Sequence, residues 1–329
     1  MQRRTLTSLA LTALAAMATG LGTMAAHAQA NYPSKPVKFI VPYAAGGLPD
    51  TVARTVAQRL GERLGQAVIV DNRPGGNGIT AYQALLQSSP QDGYSFIVSD
   101  GSMLSITPFL NKQVPYHIGK ELLPVSLIAR SPLYLVAHPK TGVNTFTDFV
   151  KLVKAKPDEY TYGSSGIGSS HHMTMEALKA ALDLGVRHIP FKGSGQSTPA
   201  LVGGQVDFSI AALPSMQGFV KSNQVKLLAS NAAKRSPQAP DIPTIAETIP
   251  GFDFSVVIGV MAAAGTPQFA IDRISKEITE VVKNPELIKT FENLVIEPVG
   301  ANAAEYGRVI QRENDSMAKA AKAADLKAE

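Results

Sequence analysis

From Asn31 onward, short apolar runs rich in Val, Ile and Phe alternate with stretches whose apolar residues recur at helical spacing, which is the signature of an α/β protein with largely parallel sheets. Lys38 to Tyr43 reads as the first strand, and Pro49 to Leu64 as a helix that presents Val52, Val56, Arg59 or Leu60, and Leu64 on one face, with Gly65 just past its end. Further strands are predicted at Ala67 to Val70, Ser95 to Ser99, Pro124 to Ala129, Tyr134 to His138, Glu159 to Tyr162, Val186 to Ile189, Val206 to Ala211 and Val225 to Ala229. Past Leu228 the texture changes to a Pro-rich connection, a long apolar stretch from Phe254 to Ala264, and three predicted helices at Pro267 to Val282, Pro285 to Leu294 and Ala303 to Ala324. About 300 residues exceed the comfortable size of one core, so two lobes are expected. The expected division is 31–130 with 232–329 as one lobe and 131–231 as the other, with crossings at Pro132 and between Asn231 and Pro243.

Residues 1–30 read as an export signal. Arg3 and Arg4 form a positive start, Leu6 to Ala18 an apolar stretch, and Ala26-His27-Ala28 and Ala28-Gln29-Ala30 two small-x-small cleavage sites. The stretch is short, Ala-rich and interrupted by Thr, Ser and Gly, unlike a spanning helix. A mature protein in the periplasm is expected, cleaved after Ala28 or Ala30. Removing these two of the 31 basic residues leaves 29 against 26 acidic ones, with no basic run, which argues against a nucleic-acid partner. The absence of cysteine excludes disulfides, thiolate metal sites and cysteine nucleophiles.

Two glycine-rich turns each follow a predicted strand and open a helix: Pro42-Tyr43-Ala44-Ala45-Gly46-Gly47-Leu48-Pro49-Asp50, and Gly163-Ser164-Ser165-Gly166-Ile167-Gly168-Ser169-Ser170-His171-His172. Free N–H groups and the positive helix end attract an anion at such a junction, and glycine lets it approach the backbone. Either turn alone is also satisfied by tight turning and helix capping; the pair suggests an anion held from two sides. Phe191 and Lys192, after another strand, add an apolar face and a positive charge, and Gly101-Ser102 lies at a strand end on the same cleft edge. No phosphate loop, third dinucleotide glycine, G-x-S-x-G elbow or H-E-x-x-H motif is present. His172 and Glu176 stand four apart on one predicted helix face, but two ligands do not make a metal site. No cofactor, metal or catalytic residue is expected. A secreted serine hydrolase using the 163–172 loop is the alternative, weakened by the lack of a recognisable base and acid.

The string Tyr32-Pro33-Ser34-Lys35-Pro36-Val37 leading into Ile40-Val41-Pro42, then Gly46-Gly47-x-x-Asp50 and Val70-Asp71-Asn72-Arg73-Pro74-Gly75, resembles the start of the Bug-type substrate-binding proteins of tripartite tricarboxylate transporters. Asp92-Gly93-Tyr94, the Gly166-to-His172 loop, Pro190-Phe191-Lys192-Gly193, Gly203-Gly204-Gln205-Val206-Asp207, Arg235-Ser236-Pro237 and Ile242-Pro243-Thr244 extend the likeness over the mature chain. The resemblance implies a two-lobed, type II-like periplasmic binding protein without catalysis, monomeric, closing on a small carboxylate that passes to membrane carrier subunits. Carried over, it points to Tyr43, Ala44, Ala45, Gly46, Gly47 and Asp50 on one side, and to Ser164, Ser165, Gly166, Gly168, Ser169, Ser170, His171 and His172 on the other. Tyr116-His117-Ile118-Gly119-Lys120-Glu121-Leu122 and Val256 to Met261, which lacks a Trp, depart from the family pattern and make ligand transfer from a relative unsafe. An aromatic or dicarboxylic acid, terephthalate-like, is the expected ligand.

Overall fold

The computed structural model describes residues 31–88, 92–111 and 113–323, so the expected export signal lies outside the described residues. The chain first lays down β1 (Val37–Val41), α1 (Leu48–Leu64), β2 (Val68–Asn72), α2 (Ile79–Gln87) and β3 (Ser95–Asp100). A π-helical turn at Ser102–Ile106 and the short α3 (Thr107–Leu110) lead to β4 (Leu122–Ser131). The second lobe follows as β5 (Tyr134–Ala137), α4 (Phe146–Ala155), β6 (Thr161–Ser164), α5 (Ser170–Leu182), β7 (Arg187–Pro190), α6 (Ser194–Val202), β8 (Phe208–Ala211), α7 (Leu213–Lys221) and β9 (Lys226–Ser230). The chain then returns to the first lobe with β10 (Val256–Ala263), α8 (Gln268–Val281), α9 (Pro285–Glu292), β11 (Glu297–Asn302) and α10 (Ala303–Ala323).

Local chemistry accounts for the main elements. In α1, Val52, Val56, Leu60 and Leu64 are buried along one stripe, Pro49 occupies the first turn where its missing N–H costs nothing, and Gly65 ends the helix at φ 66°. Helix α4 starts at a reciprocal capping box between Thr145 and Asp148. Strand β10 is buried along its whole length, as a central strand covered on both faces must be.

The sheets run β11-β4-β10-β3-β1-β2 and β7-β6-β8-β5-β9. The two-lobed α/β architecture matches the expectation, but the strand directions are mixed where mostly parallel sheets were predicted. In the first sheet β1 pairs parallel with β2 and β3, while β10 runs antiparallel to β3 and β4, and β11 antiparallel to β4. In the second, β6 is parallel to β7 and β8, and β5 antiparallel to β8 and β9. The antiparallel half follows from connectivity: the chain leaves the first lobe after β4 and re-enters as β10, a direction that no local periodicity encodes.

The two passages between the sheets are tied to each other through Asn231, which is buried. Its side-chain oxygen accepts the Leu133 N–H at 2.8 Å, and its own N–H donates to the Leu133 carbonyl at 2.8 Å. Its amide donates to the Phe254 carbonyl at 2.6 Å, and the Phe254 N–H returns to the Asn231 carbonyl at 2.9 Å. One apolar cluster runs through this junction, from Phe39 and Val260 past Leu133 to Phe149 and Phe208.

Candidate functional site

Parallel strands end at one edge of their sheet, so the turns after β1, β2 and β3 and those after β6 and β7 come together where the lobes face each other. Between them lies a cavity of about 580 Å³, within the range of small-molecule sites. The first lobe lines it with Pro42, Tyr43, Pro74, Gly75, Gly76, Ile79, Thr107 and Asn111; the second with Ser165, Gly166, Ile167, His172, Pro190, Phe191, Lys192 and Gly193.

The first wall is braced from behind by carboxyl groups. The Tyr43 hydroxyl donates to Asp100 Oδ1 at 2.5 Å, and the Ser102 N–H donates to the same oxygen at 3.0 Å. Burial pushes the Asp100 carboxyl above its ordinary range despite these bonds, and burial together with Asp100 holds the Tyr43 hydroxyl well above its own. Asn72 donates to the Tyr43 carbonyl at 3.0 Å and to Asp50 Oδ1 at 2.9 Å, and Asp50 Oδ2 accepts the Gly46 N–H at 2.9 Å. Burial alone would raise the Asp50 carboxyl; hydrogen bonds from Arg54, Gly46 and Asn72 outweigh it and hold it below the usual range.

In the second lobe, Ser169 caps α5 by accepting the His172 N–H at 3.2 Å, and Gly168 N–H donates to His172 Nδ1 at 3.1 Å. An acceptor Nδ1 places the proton of the neutral ring on Nε2. The His172 ring stacks on His188 with centroids 4.2 Å apart, and His188 stacks on Tyr162 at 4.7 Å. Burial first, and then neighbouring His172, lowers the His188 pKa to about 4; burial lowers His172 as well.

Of the residues singled out in the sequence, Tyr43, Ser165, Gly166, His172, Phe191 and Lys192 stand on the cavity wall. The structure puts the others elsewhere. Ala44, Ala45 and Gly47 lie against the second lobe's Gly193-Ser194-Gly195 turn: a Cβ built on Gly195 would sit 3.3 Å from the Ala45 carbonyl, and one on Gly47 3.8 Å from Ser194 Oγ. Gly46 and Asp50 are occupied with each other. Gly101 faces Glu313 of α10, whose Oε1 would lie 3.1 Å from an added Cβ. Ser102 and Ser170 hydrogen-bond across the lobes, Ser164 lies beneath the wall, and Gly168 and Ser169 shape the start of α5. His171 is buried, with no hydrogen-bond partner at Nε2 and a pKa lowered to about 4 by burial. Conversely, Pro74, Gly75, Gly76, Ile79, Thr107 and Asn111 reach the cavity and were missed. Pro74-Gly75-Gly76 carries the same strand–glycine–helix signal as the first turn, with Gly75 at φ 131° and Gly76 at φ 55°, and that signal was sufficient to find it.

The hydrolase alternative has one suggestive contact, Ser164 Oγ to His188 Nε2 at 2.6 Å. Ser164 is fully buried, however, and among the described residues no carboxylate hydrogen-bonds His188, so the orienting acid of a triad is missing. Among the described residues no group of three His, Asp or Glu side chains is arranged to hold a metal.

The family model of the tripartite tricarboxylate transporter family receptor (TctC) matches residues 52–326. The chain belongs to that receptor family. BugT of Bordetella pertussis is 32% identical over 263 residues, covering 79% of this receptor and 80% of BugT. R. palustris Rpa4515, solved with adipate, superposes with a TM-score of 0.86 at 28% identity, covering 91% of the receptor and 100% of that chain. MatC from Rhodopseudomonas palustris, with bound malate, does so with a TM-score of 0.81 at 25% identity, covering 88% and 99%. The turns that line the receptor's cavity all lie within the matched span except Pro42 and Tyr43.

Proposed function

We propose that the protein works in the periplasm as a solute receptor that takes up a small aromatic or dicarboxylic acid, terephthalate being the first compound to try. It hands that acid to the membrane carrier subunits of a tripartite tricarboxylate-type transporter. The observation that carries this reading is the cavity itself. Its walls pair apolar surface from Pro42, Pro74, Ile79 and Phe191 with the donors of Ser165 and the ammonium of Lys192, which suits an organic body ending in a carboxylate. The adipate and malate held by the two related structures support an acid as ligand class.

In this reading the receptor is monomeric and acts by binding rather than catalysis, and 31–130 with 232–329 moves against 131–231 about the Leu133 and Asn231 junction. Ala44 to Gly47, Ser102 and Ser170 then serve the closed state by joining the lobes over the ligand, and Tyr43, Ser165, Gly166, His172, Phe191 and Lys192 contact it. A thermal-shift screen over mono- and dicarboxylates with their amides tests the proposal. An acid at about 100 times its Kd adds roughly 2.7 kcal/mol to the folded state, and its amide should add far less. Equal shifts from acid and amide would refute the carboxylate reading.

A further inference from the structure

The turn between β6 and α5 has a pliable backbone that two imidazoles hold in place. Gly166 and Gly168 sit at φ 124° and 72°, conformations that glycine enters at no steric cost and leaves as easily. Ile167 between them is 63% exposed, so packing of its side chain does little to fix the turn, and hydrogen bonds must do so. The Gly168 N–H donates to His172 Nδ1 at 3.1 Å, and Gly168 is buried, so losing that acceptor would leave its N–H unpaired. The Gly166 N–H donates to Ser164 Oγ at 3.1 Å, and that hydroxyl lies 2.6 Å from His188 Nε2. The His172 and His188 rings stack with centroids 4.2 Å apart and planes 17° from parallel, and His188 stacks in turn on Tyr162 at 4.7 Å.

Each glycine of the turn thus answers to one ring of the stack. For His172 this fixes the tautomer, because an accepting Nδ1 needs a neutral ring with its proton on Nε2. Burial favours neutral rings, lowering the pKa of His188 to about 4 and that of His172 below its ordinary value. Glu176 stands 3.9 Å from His172 Nε2, but its carboxylate already accepts the Tyr162 hydroxyl at 2.6 Å and the Lys179 ammonium at 2.8 Å. We propose that His172 is a positioning residue: by holding the Gly168 N–H, its Nδ1 sets the Gly166–Gly168 turn in the form that lines the cavity and supports ligand affinity through the turn. The hold extends to the contact between the lobes, since Ser170, two residues past Gly168, donates its N–H to Ser102 Oγ at 2.8 Å. A turn released at Gly168 therefore disturbs both a wall of the cavity and the start of α5. This inference rests on the receptor reading above and adds to it the group that orders the second lobe's wall.

Two variants separate the acceptor from the ring. His172→Asn puts an amide oxygen where Nδ1 stood and removes the stack, whereas His172→Phe keeps the stack and removes the acceptor. Terephthalate and adipate are titrated calorimetrically into the parent protein and both variants, and NMR without ligand follows the His172 ring nitrogens and hydrogen exchange at the Gly168 amide. The parent should show an unprotonated Nδ1 and a slowly exchanging Gly168 amide. His172→Asn should bind about as tightly as the parent and keep the slow exchange. His172→Phe should bind about tenfold more weakly, with the Gly168 amide exchanging fast. Binding by His172→Phe as tight as the parent's, binding by His172→Asn as weak as that of His172→Phe, or a protonated Nδ1 in the parent overturns the proposal. If neither acid binds the parent, the fault lies with the ligand class proposed above, and Gly168 exchange decides the inference by itself: slow in the parent and His172→Asn and fast in His172→Phe upholds it, and any other pattern overturns it.

Discussion

Ser102 and Ser170 hold the two lobes together at the start of a helix: the Ser102 hydroxyl lies 2.9 Å from the Ser170 hydroxyl and accepts the Ser170 N–H at 2.8 Å. Both residues are buried, so the N–H has no water to turn to if its acceptor is removed. Ser102→Ala is expected to penalise the closed arrangement by about 1–3 kcal/mol, the cost of an unsatisfied buried donor. Ligand affinity should fall by about tenfold for each 1.4 kcal/mol lost. Calorimetry on the variant checks this, and unchanged affinity would show that the contact contributes nothing to closure.

Gly195, in the first turn of α6, lies against the first lobe and is not among the glycines held at positive φ. An added Cβ would meet the Ala45 carbonyl at 3.3 Å and the Ala44 Cβ at 3.4 Å, so a larger side chain crowds the first-lobe turn on that side. Gly195→Leu should therefore weaken ligand binding strongly and abolish ligand-induced compaction in small-angle scattering. Gly218→Leu on α7, where nothing lies within 4 Å, is the matched control and should leave both intact. Equal behaviour of the two variants would argue against closure as the binding step.

Acid should destabilise the protein before its carboxylates titrate. His171 and His188 each have a pKa lowered from 6.5 to about 4, in both cases chiefly by burial. Between those values the unfolded chain binds protons that the folded one refuses, so stability is lost as pH falls from about 6.5 to about 4 and is constant with respect to these groups above and below. Thermal melts across that window should show a falling midpoint, and replacing both residues by Gln should flatten the slope. A midpoint independent of pH over this range would contradict the burial of two neutral imidazoles.

Intact-mass measurement on exported protein is expected to find a chain beginning at Gln29 or Asn31, because the small-x-small sites end at Ala28 and Ala30. Recovery of Arg3 and Arg4 in a membrane-bound product would overturn the export reading.

The strands that were easiest to read were those with a clear start and stop. Strand β1 and helix α1 lie within a residue or two of their predicted bounds because Pro49 and Gly65 punctuate them. The stretch from Phe254 to Ala264 carried no assignment, since an unbroken apolar run has neither period 2 nor period 3.6; its place between β3 and β4 gives it extended form as β10. Strand β11 was missed because Pro298 and Gly300 argue against a strand, and its pairing with β4 carries a register shift between Pro298 and Ala301. In the candidate site, the glycine turns at strand ends lie along the edges where the lobes face each other. They did not reveal which turns face the cavity and which face the other lobe, because Ala44 to Gly47 and the Ser169-Ser170 pair have the same composition as true wall residues. That distinction depends on how the lobes meet, which is decided by contacts more than 60 residues apart, such as Ser102 with Ser170.

The position of β10 also determines the order in which the molecule can be completed. Residues 134–230 supply every strand of the second sheet without interruption, so that lobe is made of relatively local contacts. The first sheet has a gap at its centre until Val256–Ala263 arrives, since β3 and β4 are joined only through β10. Until then the N-terminal hundred or so residues remain as two unjoined fragments, β1-β2-β3 and a lone β4, with their inner edges unpaired. A chain built this way postpones its larger core until Val256–Ala263 has been made, so the sheet that holds the two ends of the chain is closed by a strand from its last third.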